Sequence, residues 1–382
     1  MSASKPKTER FNTIIIGAGQ NGLATGYHLA QRGSDFLIVD GGARAGDSWR
    51  NRWDSLRLFT WAYWNELPGM SFPCAKTHLP SKDEVADYLE SYAQKFELPI
   101  RFGVRAEKLT REDDRYVLTT PTQRLEAKNV VVATGPFSRP KQPAFASELD
   151  ASIAQMHSSA YRNPSQLEKG DTLVVGAAAS GAEIAMELAQ SRRVYMSGRD
   201  VPTISRGKAS VLRHIMPWVF SRPRGTFLGN KLLNKSRTKG HPIILKTYKD
   251  VLKTGVERVP RVIGVRDGKP LLDGDRVLDV ANVVWGTGFQ VDFSWIDLPI
   301  FGEDGYPRHL RGVVEEEPGL YFVGLIFLHS LASQLMLGVR RDAKFVAEEL
   351  MRRAGEAQPA LVGGPPEGLR PEAAADEARP QL

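Results

Sequence analysis

The apolar positions of the chain recur with two periods in the same order, twice. Residues 11–40, FNTIIIGAGQNGLATGYHLAQRGSDFLIVD, begin with an unbroken apolar run, turn at a cluster of glycines, continue with apolar residues at helical spacing and end in a second apolar run. Unbroken β-branched runs read as buried strands and spacings of three and four as the inward face of a helix, so the stretch predicts strand, turn, helix, strand. Residues 171–199, DTLVVGAAASGAEIAMELAQSRRVYMSGR, repeat the plan. The chain therefore duplicates one βαβ unit, and its expected fold class is α/β with two Rossmann-like dinucleotide-binding domains.

Between the repeats the pattern predicts a helix near residues 82–96, short strands around 99–132, and a domain boundary at the proline-rich connection GPFSRPKQP, 135–143. A length of 382 residues exceeds the size at which a single core keeps growing, which agrees with two domains. Residues 320–339, LYFVGLIFLHSLASQLMLGV, carry no formal charge and are long enough to cross a bilayer. His329, Ser330, Ser333 and Gln334 interrupt them, and LYFVGLI is a β-branched and aromatic run ahead of a separate helical pattern. A buried strand, loop and helix are expected there, and no transmembrane segment. Residues 1–10, MSASKPKTER, read as a loose arm, and residues 353–382, rich in Ala, Pro, Gly and Glu, as a disordered tail.

The first glycine turn, Gly17-Ala18-Gly19-Gln20-Asn21-Gly22, has the G-x-G-x-x-G spacing between a strand and a helix. Gly17 permits the tight turn, Gly19 lets a pyrophosphate approach the backbone, and Gly22 lets the helix lie close on the strand. The helix N-terminus then offers unpaired N–H groups and a positive dipole end to the phosphates. Asp40, followed by Gly41, stands eighteen residues past Gly22, where a carboxylate accepts from ribose hydroxyls. The second turn, Gly176-Ala177-Ala178-Ala179-Ser180-Gly181, has Ala178 in place of the middle glycine, and its methyl is expected to hold a pyrophosphate slightly farther from the backbone.

Twenty-three residues after Gly17 comes Asp40, and twenty-three after Gly176 comes Arg199. An acid there repels a 2′-phosphate whereas an arginine pairs with one, so the second site is expected to take NADPH rather than NADH. Arg192, Arg193 and Ser197 are near enough in sequence to assist. The first site, with its acid, is then left for FAD.

Composition sharpens this picture. One cysteine, Cys74, makes no internal disulfide, CxxC pair or thiolate cluster, so redox chemistry has to come from a bound cofactor, and a reducing, cytoplasmic setting is expected. Hydrophobic residues at 42% and charged residues at 25% are those of a soluble globular protein, and no metal-ligand pattern stands out. Much of the net charge of +7 lies between Arg206 and Arg261, with fourteen Lys and Arg against Asp250 and Glu257. That stretch can guide NADPH or an anionic substrate, touch an anionic membrane surface, or be a solvated face; no nucleic-acid recognition motif accompanies it. Phe59, Trp61, Tyr63, Trp64 and Phe72 crowd residues 56–72, as an aromatic wall for a flat substrate or as core.

The motifs GAGQNG, GDSWRNRWDSLRL (46–58), VVATGPFSRP (131–140), HSSAY (157–161), GAAASG and WGTGFQ (285–290) together resemble those of class B flavin monooxygenases, over roughly residues 11–350. Within that family the chain looks most like the compact group of plant YUCCA indole-3-pyruvate monooxygenases and bacterial oxidoreductases. The resemblance implies a discontinuous FAD-binding domain, 11–145 and 285–352, with an NADPH-binding domain, 146–284, inserted. It implies that Trp49 packs on the flavin side, that Val104 lies on a strand contacting adenine, and that Ala133, Thr134 and Gly135 form the turn where the chain leaves the FAD domain. Thr287 and Gly288 match the return, and Gly324, closing GLYFVG, would contact the isoalloxazine through its backbone. Where the family usually has Phe and Gly ahead of its histidine, this chain has Ala151 and Ile153, while His157, Ser158 and Tyr161 are kept.

The reaction implied by the resemblance is hydride transfer from NADPH to FAD, formation of a C4a-(hydro)peroxyflavin with O2, and oxygenation of a small organic substrate at N, S or a 2-oxo acid. No side chain declares itself catalytic. His157 reads equally as an acid/base and as an interdomain hydrogen-bonding residue. Two other readings stay open: a flavin reductase or oxidase that oxygenates nothing, and a non-catalytic nucleotide-sensing flavoprotein. A homo-oligomer is compatible with all three.

Overall fold

A computed structural model describes residues 8–205, 207, 214, 215, 217–239 and 243–353. The first unit is β1 (Thr8–Ile16), α1 (Gln20–Ala30) and β2 (Phe36–Val39), followed by α2 (Asp47–Arg50), α3 (Lys82–Lys95), β3 (Ile100–Arg101), β4 (Lys108–Glu112), β5 (Arg115–Thr119) and β6 (Arg124–Val132). A crossing strand, β7 (Arg139–Pro140), leads to β8 (Ala154–His157) and the second unit, β9 (Thr172–Val175), α4 (Ala179–Leu188) and β10 (Val194–Ser197). Then come β11 (Thr203–Ser205), α5 (Phe227–Lys239), β12 (Ile243–Leu245), α6 (Tyr248–Lys253), β13 (Glu257–Val259), β14 (Val262–Arg266), β15 (Lys269–Leu272), β16 (Asn282–Trp285), β17 (Phe289–Gln290), β18 (Leu320–Phe322) and α7 (Met336–Arg353). α3 starts where Ser81 and Glu84 cap it reciprocally: the Glu84 N–H donates to Ser81 Oγ and the Ser81 N–H to the Glu84 carboxylate.

The first sheet runs β3-β2-β1-β6-β5-β4, and β18 pairs in parallel with the end of β6. β1, β2 and β6 are parallel and covered on both faces, which is why they read as unbroken apolar runs. Leu23, Tyr88, Tyr92, Val339 and Val346 of α1, α3 and α7 cover one face; Leu109, Leu118, Phe293 and Ile296 cover the other. The second sheet runs β13-β10-β9-β16-β8, all parallel.

Residues 320–339 form β18, a loop, a short helical turn at Leu331–Gln334 and the start of α7. No helix among the described residues is long and apolar enough to cross a membrane. The arm expected over 1–10 is shorter, because Thr8, Glu9 and Arg10 pair with Arg124, Leu125 and Glu126, and Arg10 bonds Glu126 at 2.9 Å. Residues 1–7 of the arm, and the tail from 354, lie outside the described residues.

Two features hold the sheets together. β7 and β17 cross between them as an antiparallel pair, with the Lys141 N–H donating to Gly288 O at 2.9 Å. Trp53, from the first unit's chain, is buried in the second unit's core among Tyr161, Ala177 and Val284. Beside it the Asp54 N–H donates to Arg162 O, and Asn163 Nδ2 donates to Asp54 Oδ2, both at 2.8 Å.

Candidate cofactor and active site

The two glycine turns have one geometry. Gly17 has φ +113° and Gly176 φ +119°, and a Cβ on either would stand 2.7 Å from Ala133 O or 2.1 Å from Gly286 O. A Cβ on Gly22 or on Gly181 would lie 1.8 Å from the carbonyl oxygen of Gly17 or Gly176. These four glycines are required by the protein's own backbone. The middle position differs: Gly19 has φ −75° and ψ −179°, Ala178 has φ −83° and ψ −174°, and a Cβ on Gly19 would meet nothing within 4 Å. Both residues start a helix without a side-chain cap, so the first N–H groups of α1 and α4 are left to whatever lies above the turn. Those two cradles suit a pyrophosphate.

At the end of β2, Asp40 Oδ2 accepts from the Ala18 N–H at 2.6 Å and Oδ1 from the Gly42 N–H at 2.7 Å, which ties the acid to the turn and leaves lone pairs for ribose hydroxyls. Gly41 is exposed beside it. Val104 donates its N–H to Asp40 O at 2.9 Å, but it stands beyond β3 and not on a strand: β3 pairs only Ile100 and Arg101 with β2. Gln20 opens α1, and its Oε1 accepts from Trp49 Nε1 at 3.3 Å. Ala133, Thr134 and Gly135 follow β6, and Gly324 follows β18, where a Cβ would stand 2.6 Å from Asn21 Nδ2. The strand ends therefore bring Gly17, Ala133, Thr134, Gly324 and Asp40 to one edge of the first sheet.

In the second unit Ser180 lies in the first turn of α4, and Thr287 and Gly288 follow β16, where Thr287 Oγ1 bonds Lys141 O. Arg199 is exposed just past β10, with no ion-pair partner among the described residues. The three assistants expected for it are corrected by the structure. Ser197 is fully buried; its Oγ accepts from the Val262 N–H and donates to Pro260 O, because β10 is a central strand covered on both faces, with all four of its residues buried. Arg192 and Arg193 stand at the far end of β10, where Arg192 donates to Glu168 O and Arg193 pairs with Glu257 at 3.0 Å. The arginine that the fold does bring to this end of β10 is Arg258, opposite Met196 in the register: one Nη donates to Gly198 O at 2.8 Å and to Asp200 at 2.7 Å, while the other is buried without a hydrogen-bond partner among the described residues. Sixty residues separate Gly198 from Arg258, so no local count finds it.

A family model for pyridine nucleotide-disulphide oxidoreductases matches residues 14–324. The chain belongs to that family. It is 40% identical over 351 residues to an uncharacterized CzcO-like oxidoreductase of Geobacillus kaustophilus, covering 89% of this chain and 98% of the relative. It is 27% identical to the probable indole-3-pyruvate monooxygenase YUCCA3 of Arabidopsis thaliana, over 89% of this chain and 86% of that one. Its fold is that of a flavin-containing monooxygenase from Stenotrophomonas maltophilia, with a TM-score of 0.73 at 22% identity, covering 91% and 99% of the two chains. The protein is thus an FAD- and NAD(P)-binding oxidoreductase of the two-unit α/β type.

The chain has one cysteine, Cys74, and so forms no disulfide within itself. Side chains between its two units are placed instead around the crossing strands. His157 is buried; Nδ1 accepts from the Ser159 N–H, so Nε2 carries the proton and donates to Gly288 O at 2.9 Å. Burial and the charge of Arg52 hold its pKa below the ordinary value, and the ring is neutral at pH 7. Of the two readings of His157, the geometry supports the interdomain hydrogen bond.

Arg52, absent from the sequence reading, lies over the rings of Phe137 and Phe289, 5.9 Å from each, with no carboxylate partner among the described residues. Its signal, one arginine in a charged stretch, was too weak to single out. The aromatic stretch divides: Phe72 stacks on Tyr88 at 4.5 Å inside the core, whereas Trp61, Tyr63 and Trp64 form a partly open cluster with His214 edge-on to Trp61 at 4.9 Å.

Proposed function

We propose that the protein is an NADPH-dependent flavin monooxygenase, with FAD on the first turn and NADPH on the second. The observation that carries the reading is that two turns of one geometry end in opposite charges, Asp40 and Arg199. The reading includes the discontinuous division that the family resemblance implies, 11–145 with 285–352 for FAD and 146–284 between for NADPH; the pairing of β18 with β6 supports it. Bound FAD would accept a hydride from the nicotinamide and, once reduced, react with dioxygen. One oxygen atom goes to the substrate and the other leaves as water, with two electrons from NADPH and one proton completing the balance.

The chain's own part is to bind, orient and exclude water. The first N–H groups of α1 and α4 hold the two pyrophosphates, Asp40 holds the ribose of the flavin dinucleotide, and Arg199 with Arg258 holds the 2′-phosphate. His157 and the β7–β17 crossing set the separation of the two units, while Trp61, Tyr63 and Trp64 offer apolar surface to a small organic substrate. The plant relatives' substrate, indole-3-pyruvate, puts 2-oxo acids, beside amines and sulfides, among the substrates to try. A cytoplasmic setting goes with this reading.

The departures at Ala151 and Ile153 favour a second reading, an oxidase that returns the electrons to oxygen as hydrogen peroxide. One experiment separates them. NADPH added without oxygen should bleach the yellow protein, and admission of oxygen with a panel of amines, sulfides and 2-oxo acids should give one oxygenated product per NADPH. One peroxide per NADPH with every substrate selects the oxidase. Failure to bleach overturns both and leaves a nucleotide-sensing flavoprotein.

A further inference from the structure

The stretch with the greatest excess of positive charge also exposes large apolar side chains. Phe227 is 86% exposed, Trp218 58% and Ile215 51%. Single exposed apolar residues are ordinary, but three within thirteen positions, two of them aromatic, concentrate exposed apolar surface on one segment of the chain. Arg222 lies over the Trp218 ring at 4.0 Å, and Arg224 and Lys231 are exposed on the same segment.

The two acids of the stretch, Asp250 and Glu257, lie outside the segment that carries the exposed apolar residues. Asp250 caps α6, accepting from the Thr247 N–H at 2.8 Å, and Glu257 pairs with Arg193 and Arg276. The supporting segment is docked on the body: the Arg224 N–H donates to His329 O at 2.7 Å, Arg341 donates to Ser221 O at 3.3 Å, and Gly229 and Leu233 are buried. The patch is therefore presented outward from a fixed base.

We infer that Ile215, Trp218 and Phe227, with Arg222, Arg224 and Lys231, form a docking face for an anionic lipid surface. Aromatic rings enter the headgroup boundary while arginine and lysine stay at the phosphates, which is the arrangement here. A second copy is a poor occupant, since a two-fold contact would set this cationic face against itself. The partner committed to is a bilayer carrying acidic lipid, met by one face and not spanned.

The test uses the full-length yellow protein and vesicles of phosphatidylcholine, alone or mixed with phosphatidylglycerol. It should sediment with the mixed vesicles, stay in solution with the neutral ones, and be released by salt. The double variant Trp218→Ser/Phe227→Ser should bind about tenfold or more weakly, since it loses two large apolar anchors, with flavin content and NADPH oxidation unchanged. Absence of binding to the mixed vesicles at low salt, equal binding by the double variant, or a concentration-dependent dimer that the variant abolishes would each overturn the proposal.

Discussion

Comparing the two glycine turns separates what a turn needs in order to fold from what it needs in order to bind. At Gly17 and Gly176, and again at Gly22 and Gly181, a side chain would strike the protein's own carbonyl oxygens. At Gly19 a Cβ meets nothing, and Ala178 sits in the same extended conformation with its methyl in place. The outer glycines are thus demanded by the fold and the middle one only by the ligand. The alanine therefore leaves the second turn's geometry whole, and its effect is confined to the distance of closest approach to a pyrophosphate.

The largest test of that contrast is Gly19→Val. It should yield a folded protein that purifies colourless, because the branched side chain occupies ligand space while its Cβ meets no protein atom within 4 Å; circular dichroism with the flavin absorbance checks both halves. Full flavin occupancy would remove the first turn from the FAD site. Ala178→Val should do the converse, keeping flavin while raising the KM for NADPH by about tenfold or more, a loss of at least one good contact. Steady-state kinetics on a protein of normal flavin content reads this out.

Charge is the second difference between the units. Arg199→Ala should lower flavin-reduction efficiency with NADPH by about ten- to a hundredfold, the worth of a charge-assisted hydrogen bond of roughly 1.5–3 kcal/mol, and leave NADH nearly unchanged. Arg258 is the neighbour able to blunt the effect, so Arg199→Ala/Arg258→Ala is the companion variant. An unchanged preference in both would sink the pairing. A smaller effect is expected for Ala178→Gly, a KM for NADPH equal or a few-fold lower.

The units also differ in acid. α1 carries His28, whose burial pulls its pKa down to about 4, and α4 carries no histidine. The unfolded chain takes up that proton near pH 6.5. Between there and pH 4 it holds more protons than the folded one, so stability is full above pH 6.5 and falls with acidification. His309, also brought to about 4 by burial first and Arg224 second, adds in the same direction. Melting temperature should drop by roughly 3–5 °C from pH 7 to pH 5, with flavin release accompanying it, and His28→Gln should lessen the drop.

Local features were legible. The two βαβ units, the turns, and the positions of Asp40 and Arg199 come from spacing alone, because a strand, a tight turn and the start of a helix are set by neighbours in sequence. Counting failed where direction mattered. Ser197 is close to Arg199 along the chain, yet it is buried because β10 is covered on both faces, and Arg192 and Arg193 stand at the opposite end of that strand. Phe72 shows the same limit: its composition is that of a binding wall, while packing against Tyr88 makes it core.

What the sequence determined by itself was the architecture of each unit and the sign of the charge at each strand end, since period, glycine spacing and residue type act over a few residues. Tertiary structure alone decided the partners that meet across long separations. It placed Arg258 beside Gly198, laid Arg52 over the Phe137 and Phe289 rings, lodged Trp53 in the other unit's core, and turned His157 toward Gly288. The reason is physical. Those contacts depend on the order of strands in a sheet and on the angle at which two sheets are joined, and both are settled by burying apolar surface over the whole chain at once.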